Sequence, residues 1–317
     1  MNISVIICTY NRSSSLQDTI QSLLRQEIGN RISFEILIID NNSTDDTKLV
    51  VETKLKDDPI RLKYFFEEKQ GISFARNKGV KEAQGSIIAF TDDDCIVDQY
   101  WLQRIKDTFE KYDASAVYGK ILPLWNDLEI PKWIVRDNRI WSSIGHLDYG
   151  EQVKLAKVSS EQFFGANFSI KRDDLLDLGL FNENLGVKGR KHYLGEETEI
   201  YMKLLNKNKK IIYNPSLIVQ HKIEKSFLTK DYFRKRNFYG GISFSELSNQ
   251  KEHLILGIPF WFIKESLGHL LKLLRFTVML KSKDAFRTQL ICIYDLGAIK
   301  GFLKKGYDKS QRSNSNV

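Results

Sequence analysis

The chain opens on an apolar run, residues 3–9 (ISVIICT), bounded by polar residues and too short for a helix, as a buried strand requires. Similar runs return at 34–40 (FEILIID), 62–66 (LKYFF) and 86–91 (SIIAFT). Between them the apolar period becomes helical. Leu16, Ile20, Leu23 and Leu24 share one face of a helix predicted from Ser15 to Glu27, with Ser13 or Ser14 as its cap. A second helix is expected from about Asp45 to Lys56, acidic at its start as the macrodipole favours. A third opens at Gly71 and runs to Ala83. Strand and helix alternate four times, which predicts an α/β fold: a doubly wound, mostly parallel sheet flanked by helices.

Further on, the pattern predicts a helix from Tyr100 to Tyr112, strands at 114–121 and 163–170, and a helix from Arg172 to Leu178 ended by Gly179. Residues 123–150, with Trp125, Trp133 and Trp141, show no period, and ordinary packing of these rings is favoured over a ligand-lining loop. A flexible basic loop at 186–190 leads to a helix ending at Asn206, then to short strands at 210–213 and 217–221. The low-complexity residues 310–317 are expected to be disordered.

Near the end the pattern turns amphipathic. Ile263, Leu267, Leu270, Leu271, Leu274 and Val278 fill one arc of a helix, while Lys264, Gly268, His269, Lys272 and Arg275 fill another. Pro259-Phe260-Trp261-Phe262 precedes it. Charge sharpens this picture. The 317 residues carry a formal +8, yet residues 222–317 hold 18 Lys and Arg against 8 Asp and Glu, leaving the first 221 at −2. A basic amphipathic helix of this kind either packs on the core or lies on an anionic inner-leaflet membrane surface with its aromatics at the interface. Nucleic acid ranks below both, because no recognised motif appears. The chain therefore divides into an α/β domain at 1–221, a basic helical region at 222–309 and a tail at 310–317.

Other features set the compartment. Cys8, Cys95 and Cys292 show no C-x-x-C spacing and are odd in number, which implies reduced thiols. No signal-peptide pattern stands at the amino terminus, and the uncharged run Leu254–Ile263 is too short to span a bilayer. A cytoplasmic protein is expected, peripheral at most.

The chemistry concentrates at Asp92-Asp93-Asp94, at the carboxyl end of the fourth strand, where open α/β sheets bind ligands. Like charges this close call for a counter-ion, and a hard divalent cation is the usual one. The alternative is solvated acids capping the helix from Tyr100.

Seven segments recur in one order: CTYNR (8–12), IIDNNSTDDT (38–47), QGISFARNKGV (70–80), AFTDDDC (89–95), FGANFSIKR (164–172), LGEETEIYMKL (194–204) and IVQH (218–221). Together they resemble the family-2 glycosyltransferases of the GT-A fold. The resemblance implies an inverting transfer of a sugar from a nucleoside-diphosphate donor, UDP foremost, to a hydroxyl of a saccharide or lipid-linked saccharide. It also implies Mg²⁺ or Mn²⁺ bound by Asp94, with His221 as a further ligand, and a nucleoside contact from Asp92. Asp93 is then a sugar contact or a supporting residue.

At the donor, Asp40 ends a parallel strand where it can accept hydrogen bonds from ribose or base, unless it only closes an Asx turn with Asn41 and Asn42. Thr9, Tyr10 and Arg12 lie at the neighbouring strand tip, with Tyr10 placed to stack on the base. Arg76 either pairs with the diphosphate or snorkels beside Phe74. Glu196 and Glu197 open a helix, as solvated acids or as the general base. The family's base is usually the Asp of a Glu-Asp pair, which maps onto Glu197. Here it is Glu, so both remain candidates. The processive Q-x-x-R-W motif is absent, which points to one sugar per encounter. Two other classes compete. A sugar nucleotidyltransferase would need a glycine-rich loop after the first strand, where this chain has Thr9-Tyr10-Asn11-Arg12-Ser13, and a non-catalytic adaptor would need no base.

Overall fold

The computed structural model describes the chain apart from residues 1, 30–31, 59, 127, 135–137, 189–190, 193, 249–253 and 315–317. Its elements begin with β1 (Ile3–Thr9), α1 (Ser13–Leu24), β2 (Phe34–Asp40), α2 (Thr47–Asp57), β3 (Leu62–Phe66), α3 (Ile72–Glu82), β4 (Ile87–Asp92) and β5 (Cys95–Val97). They continue with α4 (Trp101–Tyr112), β6 (Ala116–Leu124), α5 (Asn138–Ser142), β7 (Lys154–Leu155), β8 (Phe168–Lys171), α6 (Arg172–Asp177), β9 (Val187–Lys188) and β10 (Lys191–His192). The last are α7 (Glu196–Asn206), β11 (Ile211–Lys222), α8 (Lys230–Leu247), β12 (Leu254–Ile255), β13 (Ile258–Pro259), α9 (Phe260–Val278) and α10 (Ser282–Asn314).

These elements form two compact units. The first comprises Met1–Asp127, Ile144–Gly189 and Glu196–Ile223. The second comprises Leu128–Ser143, Arg190–Gly195 and Glu224–Val317, so two segments from within the first 221 residues pack with the basic region.

In the first unit, strands run in the order β3-β2-β1-β4-β8-β6-β11-β5, with β7 on β11. The β3-β2-β1-β4 half is parallel because a helix carries the chain back between successive strands. Apolar residues cover both faces of it, and every residue of β2 is buried. Gly79 lets α3 lie close on this sheet, since a Cβ there would stand 2.6 Å from Ile6 Cγ2. Beyond β4 the pattern mixes. β8 runs antiparallel between β4 and β6, and β5 antiparallel to β11. The strand expected at 163–170 forms only at Phe168–Lys171. Ahead of it, the Phe163 ring stacks on Phe168 with centroids 4.4 Å apart. The two strands expected at 210–213 and 217–221 are one, β11, whose pairing with β6 shifts register between Tyr213 and Ile218.

In the second unit α8 and α10 pack backbone to backbone. A Cβ on Gly241 would stand 1.9 Å from Tyr294 O, and one on Gly297 would stand 2.0 Å from Phe238 O. Trp133 packs edge-on against Phe233 and Phe286 at 5.2 and 5.1 Å, so this ring of the unassigned 123–150 stretch is ordinary packing. One face of α9 buries Phe262 against Phe244 and Phe302, at 5.8 Å each. Helix α10 continues to Asn314, which corrects the expected tail for 310–314; residues 315–317 lie outside those described. Among the described residues, no helix is long and apolar enough to cross a membrane.

Candidate active site

Register alone gathers the strand tips. In the parallel half, Thr9 pairs with Asp40 and Cys8 with Asp92. After β4 the chain turns through Asp93 and Asp94 into β5, whose Cys95 lies opposite His221 of β11. Lys222 N donates to Asp94 O at 2.9 Å, fastening the end of β11 to that turn. His221 Nε2 consequently sits 3.3 Å from Asp94 Oδ1.

Thr9, Tyr10, Arg12 and Asp40 stand at or just beyond the tips of β1 and β2. Thr9 and Asp40 are buried, while the Tyr10 ring is about half exposed. Asn11 adopts a left-handed φ of 53°, which Asn tolerates better than most residues. Its Oδ1 accepts from Thr44 N at 2.7 Å, and its own N donates to Ser43 Oγ at 2.9 Å. This ties the β1 loop to the β2 loop and sets the direction of Tyr10 and Arg12. Asp40 does close a turn, accepting Ser43 N at 2.9 Å, and takes the Tyr64 hydroxyl at 2.8 Å on its other oxygen. A carboxylate offers about four acceptor positions, so each oxygen can still take a ligand donor.

The acidic turn is crowded. Burial and Asp94 push Asp93 up to about 7, and burial with Asp94 also raises Asp92. Asp94 is held well below the usual carboxylate range: burial would raise it, but His221 and Arg12 outweigh that. Arg12 Nη1 donates to Asp94 Oδ2 and stands 3.6 Å from Asp93 Oδ1. Arg12 therefore already serves as a counter-ion on the carboxylate expected to hold a metal.

Arg76 does not lie on the surface beside Phe74. It is buried, with its guanidinium 5.9 Å from the Phe90 centroid and 5.4 Å from that of Phe181. Its Nη1 donates to Glu196 Oε1 at 2.6 Å and stands 3.9 Å from Glu197 Oε2, while Nη2 comes to 4.0 Å from Asp92. Gly165 makes room for it, since a Cβ there would fall 2.2 Å from Arg76 Nη2. The FGANFS segment thereby acquires a physical reason. Its Asn167 accepts from Trp101 Nε1 at 2.9 Å and donates to Lys120 O and Leu217 O, clamping the central strands.

The two glutamates differ in setting. Glu196 is walled in by Arg76 and by Gly186, where a Cβ would reach 3.1 Å from its Cδ. Burial first, then Glu197, raises its pKa to about 8 in spite of Arg76. The Glu197 side chain is the more open, 17% exposed against 6%.

A divalent cation fits this donor set. Five carboxyls, those of Asp92, Asp93, Asp94, Glu196 and Glu197, face Arg12, Arg76 and His221, which leaves acid in excess. Ligand atoms of Asp92, Asp94 and Cys95 lie within 4.8 Å of one another. Cys95 is the member that no sequence motif singles out. In the metal-free site burial raises its thiol well above the ordinary value, and it acts as a weak donor to Asp94 Oδ1 at 3.8 Å. A carboxylate and an imidazole, Asp94 and His221 at 3.3 Å, would leave open positions, as suits a metal that also binds substrate phosphates.

Residues 4–151 match the family model for glycosyl transferase family 2. The chain is 28% identical over 251 residues to a glucosyl-dolichyl phosphate glucuronosyltransferase of Haloferax volcanii, covering 77% of this chain and 76% of that one. It is 29% identical over 209 residues to a GalNAc(5)-diNAcBac-PP-undecaprenol beta-1,3-glucosyltransferase of Campylobacter jejuni, covering 64% and 59%. Among solved structures its fold is similar to a mannosyltransferase from Pyrobaculum calidifontis in complex with GDP-Man and Mn²⁺, with TM-score 0.65 and 18% identity over 96% and 88% of the chains. It is also similar to S. aureus TarS in complex with UDP, with TM-score 0.53 and 16% identity over 98% and 92%.

Proposed function

We propose that the chain is a family-2 glycosyltransferase of the GT-A fold, an inverting enzyme that adds one sugar from a UDP-sugar to a lipid-linked saccharide at the cytoplasmic face of a membrane. The names of the two relatives above carry dolichyl phosphate and undecaprenol, which supports a lipid-linked acceptor. The observation that carries the reading is the meeting of the Asp92–Asp94 turn with the Arg76–Glu196–Glu197 group, joined where Arg76 Nη2 comes 4.0 Å from Asp92.

Asp94 and His221 hold Mg²⁺ or Mn²⁺, which when bound neutralises the leaving diphosphate. Thr9 and Asp40 hold the nucleoside, Tyr10 stacks on its base, Asp92 takes the ribose side and Asp93 the sugar side. The Glu197 carboxylate accepts the proton of the acceptor hydroxyl. The acceptor oxygen forms its bond to the anomeric carbon as the carbon–oxygen bond to the diphosphate breaks on the opposite face, and configuration inverts. Arg76 is a positioning residue in this scheme. It holds Glu196 in place, and through Glu196 it fixes the start of α7 so that Glu197 faces the acceptor.

Glu197→Gln tests the scheme. Donor binding measured by calorimetry is retained, and turnover falls by about a hundredfold or more, the range for loss of a general base. Glu196→Gln keeps more activity. If Glu196→Gln is the variant that binds donor and is dead, the two roles are exchanged. If neither variant loses turnover, the mechanism is wrong.

A further inference from the structure

Helix α9 packs by one side and is apolar on the other. Phe262, Ser266, His269, Leu273 and Phe276 recur on the side turned to its own unit, where Phe262 is buried and His269 Nδ1 lies 2.8 Å from Asp295 Oδ2 of α10. On the far side Phe260, Leu267, Leu271, Leu274 and Val278 form a continuous exposed stripe at steps of seven, four, three and four, with Leu271 at 68% and Val278 at 82%. The hairpin of β12 and β13 ahead of the helix ends the same way. Leu254, Ile255 and Leu256 are exposed at its tip, Leu256 to 81%. A soluble surface rarely leaves so long a run of large apolar side chains in water.

We propose that this face, from Leu254 to Leu280, is a docking surface for an anionic lipid bilayer, in which α9 lies along the interface and the hairpin tip and aromatics enter it. Charge selects this occupant. Lys264, Lys272 and Arg275 are exposed along one flank of the stripe, and Lys281 and Lys283 follow its end. A second copy of the chain would bring one such basic flank against another, since residues 222–317 carry a net +10. Phosphate headgroups instead neutralise the flank while the stripe enters the acyl boundary. Spanning is not the mode, because no described helix is long and apolar enough.

The test is cosedimentation of the full chain with phosphatidylcholine vesicles, with and without phosphatidylglycerol. It is run at about 0.1 M and about 1 M salt, between which the Debye length shrinks from about 10 to about 3 Å. Binding is expected only with phosphatidylglycerol, and weaker at high salt. Lys264, Lys272 and Arg275 changed together to Glu lower the partition coefficient by about a hundredfold or more, at roughly fivefold for each basic residue. Leu271→Ser with Leu274→Ser, both at exposed positions, lowers it at both salt concentrations. No binding by the intact chain overturns the proposal, and so does either variant binding like the parent. A concentration-dependent dimer that the serine pair dissociates, without vesicle binding, assigns the stripe to a second copy and also overturns it. The assay needs neither nucleotide nor metal, so its failure and that of the sugar-transfer reading are separately visible.

Discussion

At the residue scale, Arg12 is the group whose behaviour follows most directly from its contacts. It donates to Asp94, the carboxylate that we assign to the metal, so a cation entering there must displace it. Arg12→Gln is therefore expected to tighten Mn²⁺ binding in the absence of nucleotide by roughly tenfold, the equivalent of a charge-assisted hydrogen bond of about 1.5 kcal/mol. The released guanidinium lies at the strand tip beside Tyr10, where a diphosphate would take it up, so the same variant should bind UDP more weakly once Mn²⁺ is present. Calorimetry with Mn²⁺ alone and then with UDP reads both, and unchanged Mn²⁺ affinity removes Arg12 from this role. Acids at strand ends were legible in the sequence because a strand's end fixes where its last side chains stand. Arg76 was not. The sequence shows an arginine early in a helix, but its partner Glu196 lies 120 positions away and its space comes from Gly165 on a third segment.

At the scale of elements, the parallel half was legible because each strand there is an unbroken apolar run separated by a helical period. The mixed half was not: β5 has three residues, too few for any period, and the antiparallel sense of β8 is set by neighbours distant in sequence. One polar tie inside the parallel half makes a stability prediction. Glu35 of β2 is buried, accepts Ser4 Oγ at 2.6 Å from β1 and Lys63 Nζ at 2.7 Å from β3, and takes Gln84 N at 2.7 Å. Burial alone would raise its pKa, but these donors outweigh burial and hold it below the ordinary 4.5. A carboxylate depressed on folding stabilises fully above its unfolded value, and the contribution drains away as pH falls through the folded value. Glu35→Gln should thus cost about 2 kcal/mol at neutral pH, as for lost hydrogen bonds to a charged group whose Lys63 partner keeps some solvent. The gap to the parent should narrow in denaturant titrations taken progressively below pH 4.5. A gap that is constant with pH would mean that Glu35 is not ionised in the fold.

For the whole molecule, the ligand-free chain keeps an excess of acid at one end of its sheet, and a donor with its cation should relieve it. Binding that favours the folded state stabilises by mass action, about 2.7 kcal/mol at a hundredfold excess over Kd. For a chain of this size that corresponds to a rise in Tm of roughly 4 °C. The rise should require both parts. UDP without Mn²⁺ leaves the carboxylates of Asp92 and Asp94 facing the diphosphate, a like-charge contact that opposes binding. UDP with Mn²⁺ is therefore expected to raise Tm, a chelator to reverse the gain, and Asp94→Asn to abolish its metal-dependent part, on top of a lower unliganded Tm from the lost Arg12 and His221 contacts. GDP in place of UDP tests the choice of base, on which the neighbouring complexes differ, one holding GDP-Man and another UDP. A sugar nucleotidyltransferase would respond most to a nucleoside triphosphate with a sugar phosphate. If that pair raises Tm more than any nucleoside-diphosphate sugar, the Asp92–Asp94 turn serves the opposite half of sugar-nucleotide chemistry, and the proposed transfer falls.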